Sequence, residues 1–139
     1  MSDFQIASVS FYRAGESQSF LDVKDYDLLF ENAKSLRMAQ HAQMEIAKEN
    51  RDCLTVNSHN GYYHLDAAVG KELLFLVDTR VPVPPDEDDY EYVYEFEGKT
   101  HNATRKFRSV LPVIKAYIET GNLVTPSNHE WLNSDADHR

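Results

Sequence analysis

The chain has 139 residues, the size of one ordinary domain, and it is 42% hydrophobic and 27% charged, as is typical of a folded globular protein. Its formal net charge of -9 disfavours binding to nucleic acid or to anionic membranes, because both require clustered lysine and arginine. A single cysteine, Cys53, excludes an internal disulfide and favours a reducing compartment. The sequence shows no signal-peptide pattern and no run of about 20 apolar residues, so we expect a cytoplasmic protein without a membrane span.

The first elements along the chain are a strand and a helix. Residues 4–13 alternate apolar and polar side chains, which predicts a strand. Residues 22–50 contain neither proline nor glycine, and apolar residues recur there at helical spacing. We therefore predict one long N-terminal helix over 22–50 that Asp22 or Asp25 caps and that bends near His41. Its apolar stripe comprises Leu29, Ala33, Leu36, Met44 and Ala47.

The middle of the chain reads as a series of strands. Asn60 and Gly61 tolerate positive φ and predict a tight hairpin turn between the first two of them. The third is almost continuously apolar, which predicts a central strand, and the prolines of residues 80–89 predict a loop after it. The predicted strands are CLTVN (53–57), YYHLDAAV (62–69), ELLFLVD (72–78) and YEYVYEFEG (90–98).

The last third of the chain predicts a second helix and a final short strand. Apolar residues recur at helical spacing up to Gly121, which suits the position after a helix end. Pro112 fits either the first turn of a helix that begins near Ser109 or a kink in a longer helix. A short strand then ends at Trp131.

This order of elements predicts the fold class. We expect a single α+β domain over residues 1–139, in which an antiparallel meander carries one long N-terminal helix and one C-terminal helix on one face. The polar residues 132–139 are expected to form a loose tail.

Few residues carry recognisable chemistry. Cys53 lies among small and apolar neighbours, which predicts a buried and unreactive thiol. The six histidines show no zinc spacing, and His59 and His64 flank the turn at opposite parity, so we expect them not to converge. Glycine-rich phosphate motifs are absent from the sequence. We therefore predict no catalytic residues, metal or cofactor, and a protein that is not an enzyme.

The acidic stretch DEDDYEYVYEFEG (86–98) is the most unusual segment of the sequence. In a strand its aromatic residues share one face and its glutamates share the other. Packing explains that alternation, but so many like charges repel one another. A basic protein partner would relieve the repulsion and would be steered to this surface. The predicted partner-binding residues are Asp86, Glu87, Asp88, Asp89, Tyr90, Glu91, Tyr92, Glu95 and Glu97.

The segment RSVLPVIKAYIETGNLVTPSNHEW (108–131) resembles the closing motif of the immunity-protein-1 family of bacterial polymorphic toxin and contact-dependent inhibition systems. In that motif an amphipathic helix ends in a Thr-Gly pair, here Thr120 and Gly121, and a connection with Pro126 leads to a strand with Trp131. The resemblance implies an intracellular antidote that binds one cognate nuclease or deaminase toxin without catalysis. It also implies that Gly121 ends the helix and that Trp131 fills the core.

Two alternatives remain open at this point. An acidic regulator or DNA-mimic inhibitor of another nucleic-acid enzyme is also consistent with the charge, although the acids are concentrated in one segment. A small enzyme with a carboxylate pair is the other. Two converging carboxylates, one with a raised pKa, would favour it.

Overall fold

A computed structural model describes residues 6–38, 41–59, 62–79, 93–96, 99–102 and 107–133. Over these ranges the chain forms two α-helices and nine strands, and every strand pair is antiparallel. The predicted α+β class and antiparallel sheet are therefore confirmed. The strands are β1 (Ile6–Arg13), β2 (Ser19–Leu21), β3 (His41–Lys48), β4 (Cys53–His59), β5 (Tyr62–Val69), β6 (Glu72–Asp78), β7 (Val93–Phe96), β8 (Lys99–Asn102) and β9 (His129–Asn133). The helices are α1 (Tyr26–Ser35) and α2 (Phe107–Thr120), and Leu36–Met38 form a 3₁₀ turn.

The sheet is built around a meander. Its strand order is β2-β1-β3-β4-β5-β6-β8-β7, and β9 pairs with β6 as a branch. Strand β6 pairs with β5 on one edge and with β9 on the other. Leu74, for example, is opposite Ala67 of β5 and Asn133 of β9, so β6 is a central strand as predicted. Among the described residues, one paired position, Asp78 with Asn102, joins the β7–β8 hairpin to β6.

One face of the sheet and the helices enclose a single core. Side chains alternate across a strand, and the register aligns buried residues of neighbouring strands, such as Met44 beside Val56 and Val56 beside Leu65. From the sheet come Val9, Phe11, Ala42, Met44, Ile46, Leu54, Val56, Tyr63, Leu65, Ala67 and Leu76. From the helical segments come Leu29, Ala33, Leu36, Val110, Val113, Ile114, Tyr117 and Ile118.

The predicted long helix over 22–50 is wrong in its second half. The α-helix covers only Tyr26–Ser35 and continues as the 3₁₀ turn, after which β3 begins at His41. The segment HAQMEIAK has a period of two, and its burial alternates strictly over the first six residues. Strand β3 pairs with β1 on one edge and with β4 on the other, so its backbone N–H and C=O groups have hydrogen-bond partners. The alternation of side chains then places Met44 in the core.

The predicted cap and the first part of the predicted apolar stripe are confirmed. Asp25 is the N-cap of α1, and its carboxylate accepts a hydrogen bond from the Leu28 backbone N–H at 3.1 Å. Leu29, Ala33 and Leu36 are fully buried, as the apolar stripe predicted.

Two other strand predictions agree with the register. In β1, Val9 and Phe11 are buried, while a bulge between Ile6 and Ser8 leaves Ala7 exposed. The β4–β5 ladder ends with His59 beside Tyr62, which leaves a two-residue connection as predicted. The connecting residues themselves lie outside the described residues.

The second helix is the longer of the two alternatives. It begins at Phe107, so Pro112 lies inside it at an exposed position rather than in its first turn. After the helix, Gly121 has a φ of +73°, and its N–H donates to the Tyr117 carbonyl at 2.9 Å, which confirms the predicted C′ residue. Trp131 is half-buried and packs against the core, and its indole N–H donates to the Val124 carbonyl at 3.1 Å.

Replacing Gly121 by valine is expected to lower the free energy of unfolding by about 1–2 kcal/mol, because a β-branched side chain is strained at positive φ. Gly121→Asn is the matched control, and it should cost less because asparagine tolerates this conformation, as Asn128 does at φ 62°. Urea denaturation of both variants tests this. Equal losses would show that space, rather than φ, constrains the position.

Candidate functional site

The predicted acidic site lies mostly outside the described residues. Only Glu95 falls inside, in the backbone of β7. Strand β7 ends the strand order of the sheet, and among the described strands it pairs with β8 alone. The acidic sequence therefore leads directly into the last strand in the order of the described strands. The predicted site residues outside the described ranges are Asp86, Glu87, Asp88, Asp89, Tyr90, Glu91, Tyr92 and Glu97.

The sheet face opposite the core is rich in polar side chains, and sequence reasoning did not identify it. Alternation along β1, β3, β4 and β5 places these residues on one side, and most of them are half-buried. We call this set the polar face. It comprises Ser10, Tyr12, His41, Gln43, Glu45, Cys53, Thr55, Asn57, His59, His64 and Asp66.

Two carboxylates lie in one row across the polar face. Glu45 pairs with Thr55, and Thr55 pairs with Asp66, so the two acids are two strands apart, roughly 10 Å between backbones. One carboxylate oxygen of Asp66, Oδ1, is buried and has no hydrogen-bond partner among the described residues. Burial raises the pKa of Asp66 from its ordinary value near 3.8 to about 6, because the charged form loses its hydration.

Three histidines also share this face. His41 and His59 are directly opposite each other on β3 and β4, and their Nδ1 atoms lie 3.4 Å apart. The edge of one ring meets the face of the other, with the ring centroids 5.6 Å apart. Tyr12 meets the His41 ring in the same T-shaped way, with the centroids at 6.1 Å.

His59 and His64, which we expected not to converge, lie on the same face but are not paired with each other, since His59 is opposite Tyr62 and His64 is opposite Asn57. The two-residue connection pairs odd residues of β4 with even residues of β5, as with Asn57 and His64. Opposite parity therefore places the two histidines on the same face.

Cys53 lies at the end of the polar face and is half-buried rather than buried. Burial raises the pKa of its thiol, and the nearby negative charge of Glu45 adds to this effect. A thiol with a raised pKa stays protonated near neutral pH, which disfavours nucleophilic chemistry. Cys53 is therefore less buried than predicted, and its unreactive character stays a prediction.

A groove of about 510 Å³ lies elsewhere, between α2 and the segment that precedes β9. Pro112 and Pro126 line it together with Val124 and the cation of Arg108. Its other lining groups are hydroxyl and amide side chains, namely Ser109, Thr125, Ser127 and Asn128.

Over the described part of the chain, neither a metal-binding cluster nor a membrane-spanning helix is present. No group of three or more histidine, cysteine, aspartate or glutamate residues there is arranged to hold a metal ion. Within the same ranges, neither helix is long and apolar enough to cross a membrane.

Comparisons of the chain with protein-family models, with curated proteins and with solved structures gave no match. The likeness of residues 108–131 to the immunity-protein-1 motif therefore stays a prediction from sequence. Within that segment, Gly121 ends α2, and Trp131 reaches the core only in part.

Proposed function

We propose that this protein is an immunity-type inhibitor. It binds one cognate toxin domain of nuclease or nucleic-acid deaminase type through the acidic surface of residues 86–97, and it blocks that domain without catalysis. The observation that carries the proposal is the entry of this acidic sequence into β7, the terminal strand in the strand order of the sheet.

A terminal strand is a suitable place for a protein partner. A strand at the edge of a sheet presents backbone N–H and C=O groups to which a strand from another chain can be added. Among the described strands β7 pairs with β8 only, and one residue pair joins that hairpin to β6. Recognition at this edge therefore leaves the central ladder of the sheet intact.

The charge supports the same partner class. A toxin that acts on nucleic acid needs lysine and arginine where the phosphates bind, and an acidic inhibitor can occupy that surface. The chain has 23 acidic and 14 basic residues, and the acidic stretch contributes seven of the acids. Opposite charges accelerate the encounter and select against acidic partners.

The partner to test is the toxin domain encoded beside the gene for this protein. We expect a stoichiometric complex and loss of the toxin's activity. Changing Asp86, Glu87, Asp88 and Asp89 to Asn or Gln should slow association at low salt by roughly tenfold or more and should weaken its salt dependence. Stopped-flow association rates at several ionic strengths measure both effects.

A matched variant separates local from overall charge. Glu16, Glu31, Glu119 and Glu130 are exposed in the structure, and changing them to Gln removes the same four charges. We expect this variant to associate at close to the original rate. Equal slowing by both variants would argue against the acidic stretch as the site. Competition by duplex DNA for a nucleic-acid enzyme other than the toxin would favour the DNA-mimic alternative.

One observation favours a second candidate, a small carboxylate-pair enzyme. Asp66, with its pKa raised to about 6, is suited to donate a proton, and Glu45 is a second carboxylate in the same row of the polar face. Glycoside hydrolysis uses two carboxylates, one of them as the proton donor. Turnover of a glycoside panel that is abolished by Asp66→Asn would support this candidate. Absence of turnover in the wild-type protein would count against it.

A further inference from the structure

We propose that His41 and His59 form a binding site for a divalent transition-metal ion that prefers imidazole, such as Zn²⁺, Ni²⁺ or Cu²⁺. The two side chains are on adjacent strands at directly paired positions, and both belong to the polar face. The proposal is independent of the acidic stretch and of any toxin partner.

The spacing of the two nitrogens fits a metal. Zn–N bonds are about 2.0–2.1 Å, and at a tetrahedral angle two such ligands lie about 3.4 Å from each other. The Nδ1 atoms of His41 and His59 are 3.4 Å apart. An ion would therefore bind both Nδ1 atoms without changing the distance between them.

The backbone holds this spacing in place. Strands β3 and β4 pair continuously from His41 with His59 to Ala47 with Cys53, so the two Cα atoms have little freedom to move apart. The Tyr12 and His41 rings meet at nearly a right angle, with their centroids 6.1 Å apart, so Tyr12 contacts the imidazole from the neighbouring strand β1. Ligands held in advance lose little conformational entropy when the metal binds.

The coordination positions of the ion that His41 and His59 do not fill would be open. Within the described ranges no third histidine, cysteine or acidic side chain completes a metal-binding group. Two imidazoles therefore leave at least two coordination positions for water or for donor atoms of a small ligand. Without metal, one Nδ1 donates a hydrogen bond to the other, so coordination by both Nδ1 atoms requires the donor ring to carry its N–H on Nε2 instead.

Isothermal titration of chelator-treated protein with ZnCl₂ tests the site. We expect one ion per chain and a rise in the midpoint of thermal unfolding, because the ion binds the folded state. His41→Gln and His59→Gln should each weaken Zn²⁺ binding by about tenfold or more, since each removes one of two protein ligands. His138→Gln is the control for histidine content and should leave the affinity unchanged.

The folded state of each variant is checked by circular dichroism, and His41 is exposed, so its replacement by glutamine keeps the core intact. Two results would overturn the proposal. One is a wild-type chain that binds no Zn²⁺. The other is a folded His41→Gln chain that binds Zn²⁺ as tightly as the wild type.

Discussion

Replacing Leu65 by alanine is expected to lower the free energy of unfolding by about 3 kcal/mol, a large fraction of the stability of a domain of this size. Leu65 is fully buried at the centre of β5, directly beside Val56 of β4. Removing its branched end leaves a cavity between the sheet and the helices, because the surrounding ladder can relax only in part. Urea denaturation of the wild type and the variant measures the difference.

Leu73→Ala is the matched control for that experiment. Leu73 lies in the neighbouring strand β6, and 41% of its surface is exposed. The same chemical change should cost less than about 1 kcal/mol there, since little apolar area returns to water. Losses of similar size at both positions would contradict the location of the core on the Leu65 side of the sheet.

The stability of the protein is expected to fall as pH rises from about 4 to about 7 because of Asp66. Its pKa is near 3.8 when the chain is unfolded and about 6 in the folded protein, so the folded state holds the proton more tightly. The stabilisation that comes from this proton is therefore fully present below the pKa of Asp66 in the unfolded chain. It is lost as pH rises through the pKa of Asp66 in the folded protein. A pKa difference of this size corresponds to about 3 kcal/mol, which remaining solvent contact reduces to about 2 kcal/mol.

Asp66→Asn removes the titrating proton and should flatten this part of the pH profile. Urea denaturation at intervals between about pH 4 and pH 7.5 gives the two profiles, and their difference isolates Asp66 from other titrating groups. Glu16→Gln makes the same carboxylate-to-amide change at an exposed position and should retain the wild-type slope. A wild-type slope that persists in Asp66→Asn would exclude this carboxyl as its source.

Sequence reasoning succeeded where local chemistry determines the structure. Asp25 acts as the N-cap of the helix that begins directly after it, and Gly121 tolerates the positive φ that follows a helix end. It failed at residues 41–48, because an absence of proline and glycine permits a helix without specifying one. The conformation there is a strand for two reasons. Ala42, Met44 and Ile46 alternate with polar residues, and β1 and β4 form hydrogen bonds with the segment on both of its edges.

The same error concealed the polar face. Once 41–48 is placed in the sheet, the two-residue turn after His59 fixes the register from β4 to β5, and alternation then places Glu45 and Asp66 in one row. The proximity of His41 to His59 depends on a pairing between strands that single-sequence periodicity does not specify. The acidic stretch, in contrast, is visible from composition alone, and its role stays a prediction.

The branch formed by β9 has a consequence for how the protein folds. Strands β3 to β6 each pair with their immediate neighbour in sequence, whereas β9 returns to β6 only after a long excursion of the chain. Pairing over such separations carries a larger loop-closure cost, so we expect the meander to assemble first and β9 to dock late. Trp131 is the only tryptophan and lies in β9 beside Leu76, which makes its fluorescence a reporter of that final step of refolding.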